Sequence, residues 1–492
     1  MTLAFSAWAA ATFWFSPAHA RALQDGPPKI DSAGIEAASG FLERLRESRG
    51  ITGLSAAVAI DGELLWSAGF GFEDAESGIA ATSETVYRVG SVSKVLTTAA
   101  IAKLLEHGRL DLDTDIRAYV PAYPAKSGVL TARLLAGHLG GVRHYRLGET
   151  AAPKKAYADV VDALELFRDD PLLHAPGERW SYSSYAWTLL SAAVQGASDR
   201  PFPEYVRSAV LSPLGMSDTR AEVADSVGAA SPHLAALYDE GVRVARNDIS
   251  YIWAAGGYLS TVGDLVRLGS AFLPGSGFIA DETLDVLATN QTTVGGEEVD
   301  HGIGWIVDAD PDVGRVIYHG GTIIGGHSVL YVELERRIVV AILANESTGF
   351  GLIDAYIVAS QVIGRTDPPR FVRDARSVKI RRESRERLFD ALERWQDALR
   401  GGDIDAALAV VSEDFTSARW RDKAALAETL ARWFASGPVE VGGDLGIGVR
   451  GIEPGASSDI SGFVLGVDGV TERLMLLFTK QGGGEWLLTD VR

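Results

Sequence analysis

The chain contains no cysteine, which excludes disulfides, thiol nucleophiles and thiolate metal ligands. This absence does not fix a compartment, because an exported protein can fold without disulfides. Positive charge is in the minority: 46 Lys and Arg stand against 65 Asp and Glu, a formal net charge of −19. Nucleic-acid binders ordinarily present a basic face, so no nucleic-acid partner is expected. Apolar runs of the roughly 20 residues needed to span a bilayer are also missing, so no membrane span is expected. There is no internal repeat, no phosphate-cradling glycine motif at a helix entry and no cluster with metal-ligand spacing, so neither cofactor nor metal is expected. What is present is ample core material. Hydrophobic residues make up 47 % of 492 positions, enough for two domains or one large domain with an appendage.

The first 20 residues read as an export signal. Leu3 to Phe15 is apolar but too short to span a membrane, and Ala18-His19-Ala20 supplies small residues suited to signal-peptidase cleavage. Nothing before Arg21 is basic, which departs from the usual pattern. The expected location is periplasmic or secreted.

Periodicity then lays out an α/β domain over residues 30–364. Ile35, Ala38, Leu42 and Leu45 share one helical face ending near Gly50. Leu54–Ile60 and Glu63–Ala68 read as strands joined at Asp61-Gly62, a strong hairpin signal. Ser91 to His107 reads as a long, largely apolar and therefore buried helix. Strand signals return at Gly302–Val307, Arg315–His319, Ser328–Leu334 and Ile338–Leu343, with a closing helix over Leu352–Ile363. An early hairpin and a late antiparallel meander can share one sheet, with helices packed around it.

Residues 365–383 read as a linker. They include Pro368-Pro369, and the arginines of this stretch are read as solvated or paired with the acidic domain rather than as a docking site. Residues 384–492 read as a small α+β unit. Leu388, Leu392, Trp395 and Leu399 form one helical stripe, Ile404, Ala407, Leu408 and Val411 a second, and Leu426, Leu430, Trp433 and Phe434 a third. Strands follow at Gly462–Val467, Arg473–Thr479 and Trp486–Val491.

The chemistry is concentrated at Ser91-Val92-Ser93-Lys94. Residues three apart on a helix share a face, so hydroxyl and ammonium can meet. A serine hydroxyl needs a base to take its proton, and burial disfavours the charged form of a lysine. Alone, Ser-x-x-Lys equally describes a serine cap followed by a surface lysine. Here the helix beyond it is apolar, and Tyr87-Arg88-Val89-Gly90 leads directly into the serine.

Tyr87 to Ala100 resembles the active-site segment of class C β-lactamases, D-alanyl-D-alanine carboxypeptidases and related esterases. Three further segments follow in that family's order. Leu134 to Gly141 is similar to its Leu-Leu-x-His-x-Ser-Gly loop, Pro176 to Ser184 to the segment carrying Tyr-x-Asn, and His319-Gly320-Gly321-Thr322 to Lys-Thr-Gly or His-x-Gly. The resemblance implies an antiparallel sheet flanked by helices, with a helical subdomain. It also implies an acyl-enzyme on Ser91, a proton network through Lys94 and Tyr182, and an oxyanion hole from the amides of Ser91 and Thr322. Either Lys94 or Tyr182 could be the base. Gly320 and Gly321 would let substrate backbone approach closely. Gly141 to Tyr145 particularly resembles the mitochondrial serine β-lactamase-like peptidases and their bacterial relatives. The C-terminal unit resembles the nuclear-transport-factor-like cone fold, which implies a possible homodimer.

Two departures bear on substrate. Ser184 stands where many β-lactamases have asparagine, and a hydroxyl grips a substrate amide less well than a carboxamide does. His319 stands in place of lysine, and a histidine that is mostly neutral at pH 7 attracts a carboxylate less. Esters or small peptides are therefore expected to be better substrates than cephalosporins. Lowering the pH toward about 6 is expected to help carboxylate-bearing substrates by protonating His319. The alternative reading is a catalytically idle ligand-binding or sensor protein on the same fold.

Overall fold

The computed structural model describes residues 32–146, 155–223, 233–310, 313–347 and 349–364, together with stretches between 394 and 491. The proposed export signal and the 365–383 linker lie outside the described residues. The chain divides into two compact units, 1–369 and 370–492.

The first unit is built on a seven-stranded sheet. Its strands are β1 (Gly53–Ile60), β2 (Glu63–Asp74), β3 (Ile79–Ala80), β4 (Ile306–Asp310), β5 (Gly314–Ile323), β6 (Gly326–Glu333) and β7 (Ile338–Ala344). The spatial order is β4-β5-β6-β7-β1-β2-β3, with every neighbouring pair antiparallel. The early hairpin and late meander thus meet where β1 pairs with β7. Asp61 and Gly62 take φ of +54 and +81, the left-handed conformations that a tight two-residue hairpin demands.

β1 and β7 are buried along their whole length, so their near-continuous apolar sequences are those of strands covered on both faces. Helices α1 (Ser32–Ser48) and α5 (Leu352–Val362) pack together, while α4 (Val262–Ser270) packs on β1 and β7. Leu42 and Leu45 carry the expected face of α1, with Ile35 at its half-buried margin.

α2 (Ser93–Glu106) lies inside the molecule, against Trp253–Gly256 and α3 (Ser184–Ser198). Val92, Val95, Leu96, Ala99, Ala100 and Ile101 are all fully buried, as are Lys94, Thr97 and Thr98, so this helix is buried nearly all round rather than amphipathic. Such a helix is a rigid mount for whatever stands at its N-terminus.

One expected boundary moves. Gly302–Trp305 is a turn, and β4 begins only at Ile306. Gly304 takes φ +74, and a Cβ there would fall 2.0 Å from Thr98 Oγ1 and 2.7 Å from Trp187. The segment is shaped by close packing against α2 and α3, which a short apolar run does not reveal.

In the second unit, helices Ile404–Ala409 and Lys423–Ser436 precede an antiparallel sheet that includes Ser457–Val467, Val470–Lys480 and Trp486–Val491. Trp395, Leu399, Ala407, Val411, Leu426 and Leu430 are buried. Leu388 and Leu392 lie outside the described residues, as do the side chains of Trp433 and Phe434. Among the described residues no helix is long and apolar enough to cross a membrane.

Candidate active site

Ser91 occupies a single tight turn, Gly90–Val92, that runs directly into α2. Gly90 takes φ +48, and a Cβ on it would come within 2.9 Å of the Thr322 amide nitrogen. Only glycine allows this turn to press against β5. Gly321 is required from the other side, since a Cβ there would meet the Val89 carbonyl at 2.2 Å and the Ser91 amide nitrogen at 2.9 Å. The amides of Ser91 and Thr322 are thereby brought to one seam.

Lys94 is fully buried, with Nζ 3.1 Å from Ser91 Oγ and donating to the Ala255 carbonyl at 2.8 Å. The Tyr182 hydroxyl donates to Ser91 Oγ at 2.9 Å, and its ring centroid lies 4.9 Å from Lys94 Nζ. Burial pulls the Lys94 pKa below its ordinary 10.5, with Tyr182 acting in the opposite sense. The serine therefore faces two proton-handling groups, one of which is pressed toward its neutral form.

Tyr182 is held from behind by a residue that the sequence reading gave no role. The His138 backbone carbonyl accepts the Ser181 N–H at 2.8 Å, and its Nδ1 accepts the Ser183 N–H at 3.1 Å. Its ring lies 4.3 Å from the Tyr182 ring. His138 has φ +62, a left-handed conformation uncommon for residues other than glycine. Ser183 then caps α3, accepting from Ala186 N at 3.0 Å and donating to the Arg143 carbonyl at 2.8 Å.

Arg88 is the second residue left without a role. It is fully buried and forms a two-pronged pair with Glu222, at 2.8 Å on each arm. It also donates to the side chain and backbone oxygens of Asn247 and to the Ile324 carbonyl at the β5–β6 turn. The turn that follows Thr322 is thus tied to the strand preceding Ser91. The signal in sequence was an arginine set among apolar residues immediately before the nucleophile.

A cavity of about 630 Å³ opens at Ser91. Tyr182, Ser184, Gly320, Gly321 and Thr322 line it, with Tyr145, Tyr251 and Phe350 among its aromatic walls. Ser184 is largely buried, its amide donates to His144 Nδ1 at 3.1 Å, and its side chain hydrogen-bonds Tyr145. That hydroxyl is therefore partly committed within the protein.

His319 is a correction to the sequence reading. Alternation along β5 turns its side chain inward, while Gly320 and Thr322 face out. It does not line the cavity. Its Nδ1 lies 2.6 Å from the Gly320 carbonyl, and burial, reinforced by nearby Lys94, pushes its pKa down to about 3. It stays neutral at pH 6, so the expected gain for carboxylates on mild acidification is withdrawn. Gly320 and Gly321 lie within β5. Among the described residues no three histidines or carboxylates are arranged to hold a metal ion.

An antiparallel sheet flanked by helices, with a buried lysine and a tyrosine converging on one serine, is the arrangement of the β-lactamase-fold serine hydrolases. The chain belongs to the Beta-lactamase family, whose model matches residues 38–363. It is similar to the mouse mitochondrial serine beta-lactamase-like protein LACTB, 28% identical over 458 residues that cover 70% of this chain and 82% of the mouse protein. It is also similar to Esterase EstB of Burkholderia gladioli, 26% identical over 365 residues, covering 64% of this chain and 92% of the esterase. Among solved structures, the octameric penicillin-binding protein homologue from Pyrococcus abyssi matches with TM-score 0.60 and 19% identity, over 90% of this chain and 96% of that one. The hydrolase EstCE1 matches with TM-score 0.58 and 21% identity, over 68% of this chain and 99% of that one.

Proposed function

We propose that this protein is a serine hydrolase that cleaves ester or amide bonds through an acyl-enzyme on Ser91. The observation that carries this reading is the convergence of Lys94 Nζ and the Tyr182 hydroxyl on Ser91 Oγ, at 3.1 and 2.9 Å, beside a cavity. A neutral Lys94 takes the serine proton on its lone pair while still donating to the Ala255 carbonyl. Ser91 Oγ bonds to the substrate carbonyl carbon, and the resulting oxyanion is received by the amides of Ser91 and Thr322. The scissile C–O or C–N bond breaks, and the leaving group collects a proton through Tyr182. Water then attacks the ester on Ser91 by the same route in reverse.

Aromatic walls and a partly committed Ser184 favour simple esters and small peptides over cephalosporins. Names borne by relatives, an esterase and a D-stereospecific amidohydrolase among them, are in keeping with this range. The reading includes export, supported by Leu3–Phe15 and Ala18-His19-Ala20, and pairing of copies through residues 384–492, supported by the cone-like order of helices and strands.

Incubation with a fluorophosphonate, followed by intact-mass analysis and peptide mapping, tests the core of the proposal. One adduct on Ser91, abolished in Ser91→Ala, is the expected result. Labelling elsewhere, with Ser91→Ala still hydrolysing p-nitrophenyl acetate, would sink it.

A further inference from the structure

Thr322 faces the cavity beside the Ser91 turn, and its hydroxyl is not free to donate. Thr322 Oγ1 lies 3.1 Å from His327 Nδ1, and His327 Nε2 lies 2.7 Å from the Phe350 carbonyl oxygen. A carbonyl oxygen can only accept, so the hydrogen-bond network assigns the imidazole proton to Nε2. The neutral ring then presents a lone pair at Nδ1. Thr322 has one hydroxyl proton, and it is spent on that lone pair. What Thr322 offers the cavity is its own lone pairs.

His327 is kept in this state by its surroundings. It is largely buried on β6 against the Phe350 segment; burial, the largest influence, disfavours a second proton, as does the nearby Arg49 guanidinium, while the Phe350 and Ser347 carbonyls and Asp354 pull the other way and the net direction is down. The Phe350 ring stands edge-on to it at 4.9 Å. The charge of the cavity has the same sense. Among the described lining residues Asp239 carries a charge and no lysine or arginine is present. Lys94 stands behind Ser91, Arg88 is consumed by Glu222 and Asn247, and His319 is buried near Lys94, neutral and off the cavity wall.

We propose that the site selects substrates carrying an N–H donor without negative charge, a carboxamide or an ammonium, beside the scissile bond, and discriminates against a free carboxylate there. Thr322 and His327 are the residues that set this polarity. The inference rests on Ser91 being the nucleophile.

A matched pair of acetate esters, of 3-hydroxybenzamide and of 3-hydroxybenzoic acid, tests it at pH 7.5, with fluorophosphonate labelling of Ser91 run alongside. The amide should be preferred by about ten-fold or more in kcat/KM, the scale of one hydrogen bond exchanged for a repulsion. Thr322→Val keeps the backbone amide and removes the hydroxyl; His327→Phe removes the acceptor and frees the hydroxyl to donate. Each should bring the ratio below about three-fold. If His327→Phe does not fold, Thr322→Val carries the test. Labelled enzyme that hydrolyses the benzoate as well as the benzamide overturns the inference and leaves the nucleophile standing. An unchanged ratio in Thr322→Val overturns the role of Thr322. Absence of both labelling and turnover overturns the nucleophile and this inference with it.

Discussion

Arg88 and Lys94 are both fully buried, one just before the Ser91 turn and the other just after it, yet the protein treats them in opposite ways. Arg88 meets a carboxylate on both arms and three further oxygens, so its charge is matched at every N–H direction it presents. Lys94 meets a carbonyl and a hydroxyl, and among the described residues no carboxylate forms an ion pair with it. A matched buried charge holds structure in place, because removing either partner strands the other. An unmatched one is pressed to give up its proton, which suits a base. The pairing, and not the burial, separates the architectural cation from the chemical one.

The largest effects should come from exchanging each cation for an apolar side chain of similar length. Lys94→Met is expected to slow fluorophosphonate labelling of Ser91 by about 10²–10⁴-fold, the usual range for a general base, with the melting temperature unchanged or raised. Arg88→Met is expected to cost about 1–3 kcal/mol of stability, because the buried Glu222 loses both of its bonds to Arg88 and keeps only Arg246, at 3.1 Å. Thermal melts and labelling rates on both variants check this. Equal loss of stability in the two would erase the distinction.

The comparison also has a pH signature. Folding lowers the Lys94 pKa, so between its folded value and the ordinary 10.5 the unfolded chain binds more protons. The contribution of this group to stability therefore rises with pH across that window. Labelling should rise through the folded value as the amine becomes neutral. Denaturant melts of parent and Lys94→Met at several alkaline pH values should show the slope in the parent alone.

The contrast was only half legible in sequence. Ser91, Lys94 and Tyr182 could be named because short-range spacing and motif order carry them. The sheet was legible too, since β1 and β7 are apolar runs and Asp61-Gly62 dictates its turn. The partners of the buried groups were not. Glu222 and Asn247 reach Arg88 from distant segments of chain, and Ala255 supplies Lys94 with a backbone oxygen that no side-chain pattern encodes. The neutrality of His319 was not legible, because the burial that lowers its pKa comes from segments distant in sequence.

His138 sharpens the comparison at intermediate scale, since it is a buried group that works through Tyr182 rather than on Ser91. His138→Leu removes the acceptor for Ser183 N–H and should lower kcat by roughly ten- to a hundred-fold with KM little changed, one hydrogen bond to a positioned segment being lost. His138→Asn should restore most of it. Asparagine tolerates the left-handed backbone at φ +62 and can place an oxygen where Nδ1 stood. A role in packing alone would make Asn no better than Leu.

The smallest effect belongs to His319, a base buried near Lys94. Its folded pKa is near 3, against an ordinary 6.5 in the unfolded chain. Between those values the unfolded state binds the extra proton and the folded state does not, so stability from this group is intact above pH 6.5 and is lost as the pH falls toward 3. From neutral pH to about pH 5 the loss amounts to about 2 kcal/mol. His319→Gln, which does not titrate, should remove that portion of the acid sensitivity while other buried histidines such as His138 keep theirs. Urea melts of parent and variant at pH 7.5 and pH 5 measure the difference directly. A variant that loses as much stability as the parent over this interval would mean that His319 is protonated at pH 5 and that Lys94 has a second cation beside it. His319→Lys would set a second ammonium beside Lys94 and drive the Lys94 pKa lower still.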